Sequence, residues 1–331
     1  MPELLRVGVL GTLVCDVIHG PPPENDRSEG WGGIAYSLSG LGAALSDRWE
    51  VVPLIKVGAD VIDEARSWVA NIPRIWSIES LRSAPEPNNR SELRYFAPEQ
   101  RTERMSGGVP GWSTHELLRA IDDARLDALY VNFLSGWEVD LATMQAVRAH
   151  FAGPIYVDLH MMLWHADPEG QRSLRPLANA SAWCSCFDFI QVNEDEMRML
   201  ADGPHGFAAL AIEAGAVAAF VTLGARGVHC HARQGFGRLQ VGALHRSRAL
   251  AAGVRSSVYR PSAVQAGTVD PTGCGDVWGG TAFARLLAGD ALPTAIAAAN
   301  RAASHNAVSH GVSGLAARLL ALRTGSPLAL P

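Results

Sequence analysis

Val269-Asp270-Pro271-Thr272-Gly273-Cys274-Gly275-Asp276-Val277-Trp278-Gly279-Gly280 is the stretch around which the rest of the chain is read. An apolar approach, an acid, a turn with two closely spaced glycines and a second acid lead into residues 281–287, the pattern of a strand running into a helix N-terminus. The first amides of a helix have no intrahelical acceptor, and Gly273 and Gly275 let the backbone approach a charged group with no Cβ in the way. The junction suits an anion, phosphate above all. Asp276 would repel that guest unless it has a task, and taking a proton from an attacking hydroxyl is one. In isolation the better reading is an ordinary helix start with Asp276 favouring the dipole.

Length and composition narrow the field. A chain of 331 residues exceeds the usual single-domain size, but α/β folds of this length often form one large domain with an appendage, here taken as 1–331. With 48% hydrophobic residues and a net charge of −5, neither disorder nor a broad basic nucleic-acid surface is indicated. Met1 to Gly11 has no long apolar run after a basic region, and no stretch reaches about 18 uninterrupted apolar residues, so the expectation is a cytoplasmic protein without membrane contact. Five cysteines (Cys15, Cys184, Cys186, Cys230, Cys274), odd in number and lacking a C-x-x-C pair, suit a reducing compartment.

From the N-terminus, residues 4–10 form an apolar run followed by Gly11-Thr12-Leu13-Val14-Cys15-Asp16, read as a buried strand that delivers Asp16 near a sheet's carboxyl edge. By itself Asp16 reads as a turn residue. The G-x-G-x-x-G dinucleotide fingerprint is absent, which makes a nicotinamide enzyme a weak rival. After the proline-rich turn at Pro21 to Pro23, Gly32-Gly33 opens a helical run of small residues, where a polyol can approach the backbone. Asp60, after the next strand, reads as a helix cap. About 72–111 the pattern breaks into scattered prolines, many arginines and short alternating segments such as 92–96, the signature of a small β-unit. Arg90, Arg94, Arg101 and Arg104 there suit a substrate carboxylate or phosphate, although each one singly reads as part of a solvated face.

Downstream, residues 126–134, 154–159, 187–192 and 216–223 are short β-rich runs separated by helical patterns, as one parallel sheet flanked by helices requires. Asp158-Leu159-His160 falls at a strand end, with His160 read as packed or capping. Asn193 and Glu196 share one helical face and alone would form a capping box. Thr222-Leu223-Gly224-Ala225-Arg226-Gly227 alone is a glycine turn. The short basic cluster His245-Arg246-Ser247-Arg248 does not imply nucleic-acid binding.

Together these stretches resemble the ribokinase-like (PfkB) carbohydrate kinases. D-P-T-G-C-G-D-V-W-G-G is similar to that family's D-T-x-G-A-G-D-x-F signature, departing at Pro271, Cys274 and Trp278. The resemblance makes Asp276 the catalytic base and Gly273, Cys274 and Gly275 the anion hole. It makes Asp16, Gly32 and Gly33 substrate-side groups, with Ser37 where members usually carry Asn and Arg94 as a further candidate. The N-x-x-E of Asn193 and Glu196 would serve the phosphate and magnesium side through ordered water, and Thr222, Gly224, Gly227 and Asn300 the nucleotide. Asp270 and Thr272 match two positions of a monovalent-cation site, potassium in kind. The implied fold is a doubly wound, mostly parallel sheet flanked by helices, with a small β-sheet lid inserted at about 72–111 whose outer face can pair with a second copy. The implied activity is ATP-dependent phosphorylation of a primary hydroxyl on a sugar-like substrate. A nucleoside kinase with an aromatic sandwich drawn from Trp31, Tyr36 and Phe96 stays open, as does a non-catalytic sensor, which retention of Asp276 disfavours.

Overall fold

The computed structural model describes residues 4–20, 27–97, 100–167, 172–240, 253–261, 270–309 and 311–325. The turn at Pro21 to Pro23, the cluster His245 to Arg248 and the approach ending at Val269 lie outside the described residues.

The apolar runs form an eight-stranded sheet in the spatial order Val254–Tyr259, Val228–Arg233, Ala218–Thr222, Phe189–Asn193, Ile155–Asp158, Ala128–Asn132, Leu5–Leu10, Trp49–Leu54. Neighbours from Ala218–Thr222 to Trp49–Leu54 pair in parallel, and Val228–Arg233 runs antiparallel to both of its neighbours. Central strands such as Ile155–Asp158 and Ala128–Asn132 are buried along their whole length. That is why they read as unbroken apolar runs, since helices cover both faces of a parallel sheet. One face packs against the helices Ile34–Ala44, Cys274–Leu287, Leu292–Asn306 and Leu315–Thr324. The other packs against Thr114–Ala124, Leu141–His150 and Pro204–Ala214. The sheet is therefore doubly wound, and its winding reverses between Leu5–Leu10 and Ala128–Asn132. Ligands in such sheets gather at that reversal, beyond the carboxyl ends of the strands.

Every residue of the Ile34–Ala44 helix is buried, so it has no polar face to show. It lies unusually close to the Cys274–Leu287 helix, and the contact is made by absent side chains. A Cβ on Gly40 would come 2.8 Å from the Val277 carbonyl oxygen, and one on Gly280 2.5 Å from that of Ser37.

A four-stranded sheet stands apart from the main one, in the order Arg27–Gly33, Leu13–His19, Arg90–Ala97, Gln100–Ser106. Two expectations are corrected here. Thr12 to Asp16 does not end at the main sheet; after Gly11 the chain turns out, and Leu13–His19 pairs antiparallel with Arg27–Gly33 and parallel with Arg90–Ala97. The small sheet is accordingly not an insertion bounded by 72 and 111. Half of its strands precede residue 72, whereas Arg82–Ala84 pairs with Lys56–Gly58 in a separate two-stranded sheet at the main body. Asp60 caps no helix: its Oδ1 accepts the Asn88 amide at 2.8 Å, where the chain enters the small sheet.

Candidate active site

A cavity of about 530 Å³ opens beyond the carboxyl ends of the parallel strands. The small sheet contributes Val14, Asp16, Ser91, Leu93 and Met105 to its wall. The strand-to-helix turns of the main sheet contribute Asp158, His160, Asn193 and Thr222, and the start of the Cys274–Leu287 helix contributes Gly273 to Asp276.

Gly273 has φ 71 and ψ 1, a left-handed conformation, and caps the helix without a side chain. Its missing Cβ makes room for Tyr36, whose ring atoms would lie 2.2 Å from one. Cys274, Gly275 and Asp276 follow as the first turn; the Cys274 amide also reaches the Pro271 carbonyl oxygen at 3.1 Å, and none of the three has an intrahelical partner. Cys274 directs its thiol towards the Ala303 carbonyl oxygen at 3.5 Å and receives Asn306 Nδ2 at 3.4 Å. Burial raises its thiol above the usual range, so no thiolate competes with an anion at this turn.

Asp276 is held by a residue the sequence motifs did not mark. Asn132, at the end of the strand where the winding reverses, donates from Nδ2 to Asp276 Oδ1 at 2.5 Å and to Ser37 Oγ at 3.0 Å. Burial raises the Asp276 carboxyl above the ordinary carboxylate range, with the nearby Glu196 charge adding; His160 and the Asn132 amide pull it back. A base that is less acidic than a free carboxylate is a better proton acceptor near neutrality.

Behind this turn lies a buried polar network. Tyr156 donates its hydroxyl to Gln191 Oε1 at 2.6 Å, and Gln191 Nε2 donates to Asp158 Oδ2 at 2.8 Å and to the Gly275 carbonyl oxygen at 3.0 Å. Gly279 leaves the space for it, because a Cβ there would meet Gln191 Oε1 at 2.4 Å. Burial raises Asp158 well above its usual range. The network ties two sheet strands to the helix start and fixes where the amides and Asp276 stand.

Asn193 and Glu196 form the expected capping box and more. Asn193 Oδ1 accepts the Asp195 and Glu196 amides, and Glu196 Oε2 accepts the Asn193 amide at 2.9 Å. Glu196 Oε1 accepts both Asn193 Nδ2 and His160 Nδ1 at 2.7 Å. Burial opposes charge on the His160 ring, but Glu196 outweighs it, with Asp158 and Asp276 adding, and the imidazole stays protonated up to about 10. His160 thus lines the cavity as well as bonding Glu196. Thr222, Gly224, Gly227 and Asn300 line the same cavity. Gly224 and Gly227 have φ 57 and 95, and Gly227 passes so close to Tyr259 that a Cβ would lie 2.0 Å from its carbonyl oxygen. Asn300 accepts the Trp278 indole at 2.8 Å.

On the small sheet Asp16 lies over Gly32: a Cβ at Gly32 would sit 1.8 Å from its Oδ2. Gly33, with φ 60 and ψ −127, starts the Ile34–Ala44 helix in a conformation that glycine tolerates. Two substrate-side expectations are corrected. Arg94 points away from the cavity, with its side chain 60% exposed and paired with Glu92, because strand alternation sends Ser91 and Leu93 inward instead. Ser37 is fully buried and does not line the cavity; its Oγ accepts Asn132 Nδ2 and pairs with the Tyr130 hydroxyl at 3.2 Å. The guanidinium that does line the cavity is Arg172, packed against the sulfurs of Met161 and Met105 at 2.9 Å. No sequence pattern marked it. Of the three aromatics considered for a base sandwich, Tyr36 lines the cavity, whereas Trp31 packs on the core and Phe96 is exposed. Asp270 spends Oδ1 on the Thr272 amide at 2.9 Å, and the Thr272 carbonyl oxygen accepts Asn306 Nδ2 at 2.8 Å.

No protein-family model matches the sequence, and no curated protein matches it. Solved structures do match. A ribokinase of Thermotoga maritima superposes with a TM-score of 0.69 at 16% identity, covering 97% of this chain and 99% of that one. A ribokinase of Arabidopsis thaliana, complexed with ribose and ATP, gives 0.68 at 15% identity over 96% and 99%. A nucleoside kinase of Burkholderia thailandensis, in complex with inosine, gives 0.66 at 14% identity over 97% and 98%. With the doubly wound sheet, the flanking helices and the separate small sheets in common, the chain has the ribokinase fold.

Proposed function

We propose that the protein is an ATP-dependent phosphotransferase that phosphorylates a primary hydroxyl of a sugar or sugar derivative. The observation that carries this reading is that one cavity joins a partly desolvated carboxylate at a helix start, Asp276, to a second carboxylate on the small sheet, Asp16. Asp16 and the Gly32-Gly33 backbone orient the acceptor so that its hydroxyl faces Asp276. Asn132 fixes the base by occupying one carboxylate oxygen, which leaves the other to receive the proton. As the hydroxyl oxygen attacks the terminal phosphorus of the donor in line, the bond to the leaving diphosphate breaks. The amides of Gly273, Cys274 and Gly275 meet the charge on the transferring group without having to reorganise. Thr222, Gly224, Gly227 and Asn300 form the nucleotide end. Small-sheet residues Leu93 and Met105 exclude water, the rival acceptor.

Among the described residues no group of three His, Cys, Asp or Glu side chains is arranged to hold a metal ion. The donor set nevertheless fits magnesium brought in on the donor phosphates, since that ion keeps much of its water and asks for few protein ligands. Glu196 is only 1% exposed and already accepts three hydrogen bonds, so its part is to receive a bond from ordered water rather than to ligate. Magnesium would supply charge neutralisation between the terminal phosphates. A potassium ion near Asp270 and Thr272 would meet oxygens already engaged, Asp270 Oδ1 by the Thr272 amide and the Thr272 carbonyl oxygen by Asn306 Nδ2.

The experiment is ADP release with magnesium and ATP across sugars, sugar acids, sugar phosphates and nucleosides, run beside Asp276→Asn. An acceptor-dependent signal that the variant lowers by about two to four decades, the usual worth of general-base catalysis, supports the reading. Near-normal turnover in Asp276→Asn refutes the role of Asp276, and silence across the panel with ATP still bound favours a nucleotide-binding sensor.

A further inference from the structure

The wall of the cavity is poor in positive charge. Among the described residues lining it, the cationic candidates are Arg172 and His160, against the carboxylates Asp16, Asp158, Glu196 and Asp276. Arg172 sits on the strand Arg172–Leu174 beside Met105 of the small sheet, at the acceptor end. His160 follows the strand Ile155–Asp158, in the middle of the main sheet and between Asp158 and Glu196. Among the described residues, a triphosphate tail entering from the Thr222–Gly227 turn therefore meets one side-chain cation before it reaches Asp276.

The anchoring of that cation is specific. Nδ1 is bound to Glu196 Oε1 at 2.7 Å, the His160 amide reaches Asp158 Oδ1 at 3.3 Å, and the ring is 36% exposed, on the cavity side. Glu196 is itself fixed by the Asn193 amide and side chain, so the ring cannot swing without giving up its bond to Glu196 Oε1, and Glu196 cannot follow it without breaking the capping box. With Nδ1 occupied, Nε2 is the edge left to face a ligand. A carboxylate bound to one nitrogen of an imidazole sets the other nitrogen as a donor and favours the charged ring.

We propose that His160, clamped by Glu196, is a side-chain cation that contacts the terminal phosphoryl group of the donor beside the helix-start amides, and that Glu196 serves chiefly as its positioning residue. The inference rests on the phosphotransferase reading. It assigns to His160 the recognition of a triphosphate over a diphosphate, a distinction the neutral amides of the helix start draw weakly because they also bind a diphosphate's end. Charge-assisted donation to a phosphate oxygen is roughly twice as strong as neutral donation, which makes a tenfold or larger preference the expected signature.

The test is calorimetric binding of ADP and of the β,γ-imido analogue of ATP, each with magnesium, to the wild type, His160→Gln and His160→Lys. The wild type is expected to bind the analogue at least tenfold more tightly than ADP. His160→Gln should lose most of that ratio while its ADP affinity and unfolding temperature stay near the wild type, and His160→Lys, which restores a cation, should recover part of the ratio. Should His160→Gln unfold early, the ratio in Glu196→Gln, which releases the ring but leaves it in place, decides the same question. A ratio unchanged in His160→Gln overturns the inference and leaves the kinase reading standing. A wild type that binds neither nucleotide overturns the kinase reading itself and the inference with it.

Discussion

Two neighbouring glycines at the same helix start should respond to alanine in opposite ways. At Gly273 a side chain meets two obstacles: φ is 71, and the new Cβ would lie 2.2 Å from two ring atoms of the buried Tyr36. The left-handed conformation costs an L-residue about 1–2 kcal/mol. Overpacking against a fixed neighbour adds about 1–3 kcal/mol. At Gly275 the backbone is already right-handed helix, and the nearest atom to a Cβ is Gln191 Nε2 at 3.7 Å, an ordinary contact. Alanine there gains up to about 1 kcal/mol of helix propensity. For 331 residues at about 2.1 cal/mol/K each, the unfolding entropy is about 0.7 kcal/mol/K. Gly273→Ala should therefore lower Tm by about 3–7 °C and Gly275→Ala raise it by about 1 °C, read by differential scanning calorimetry. The reasoning fails if Gly273→Ala melts with the wild type, or if both variants fall together.

Further outcomes follow from the cavity wall. Because burial raises the Asp276 carboxyl, the acid limb of kcat/KM should lie above an ordinary carboxylate's pKa, and activity should be lost as pH falls through it; a limb at the ordinary value would contradict the desolvation argued for it. Asn132→Ala removes a donor that favours the charged base, so its pH–rate profile should shift to still higher pH, with a loss of about tenfold or more at fixed pH below the limb. Arg94→Ala, on the outward face, should leave the acceptor KM within about twofold, whereas Asp16→Asn should raise it by about tenfold or more, the worth of one hydrogen bond to a charged group. Ser37→Ala strands the buried Tyr130 hydroxyl, at a cost of about 1–3 kcal/mol, and weakens the hold on Asn132, lowering kcat by less than Asn132→Ala does; a larger loss would give Ser37 a direct role.

The parallel sheet was legible because burial on both faces writes each strand as an unbroken apolar run: the strands Ala128–Asn132, Ile155–Asp158 and Ala218–Thr222 fall inside the runs read from sequence, and Phe189–Asn193 extends its run by one residue. The small sheet was half legible. Leu13–His19 is as apolar as a main-sheet strand, and pattern alone does not say that the chain turns out after Gly11. At the site, glycine turns beside acids were visible, since backbone approach to an anion demands those residue types. Asn132 and Arg172 were not, because an amide at a strand end and a guanidinium packed on two thioethers carry no spacing rule. Strand order would have flagged Asn132, which stands where the winding of the sheet reverses. Arg94 misled for a local reason: the two-residue period sends it outward, and which face of a strand is inner depends on its partners.

The Tyr156–Gln191–Asp158 chain that ends on the Gly275 carbonyl divides the molecule by its tolerance of change. Each of those groups is buried with its partner, so replacing one strands another and unsettles the helix start with it. Ser91, Leu93 and Met105 belong to the separate four-stranded sheet, and they meet the cavity without joining that chain. A designer seeking new acceptors would randomise those three positions and leave the polar chain untouched, and a lineage drifting between acceptors would accumulate its differences in the same place.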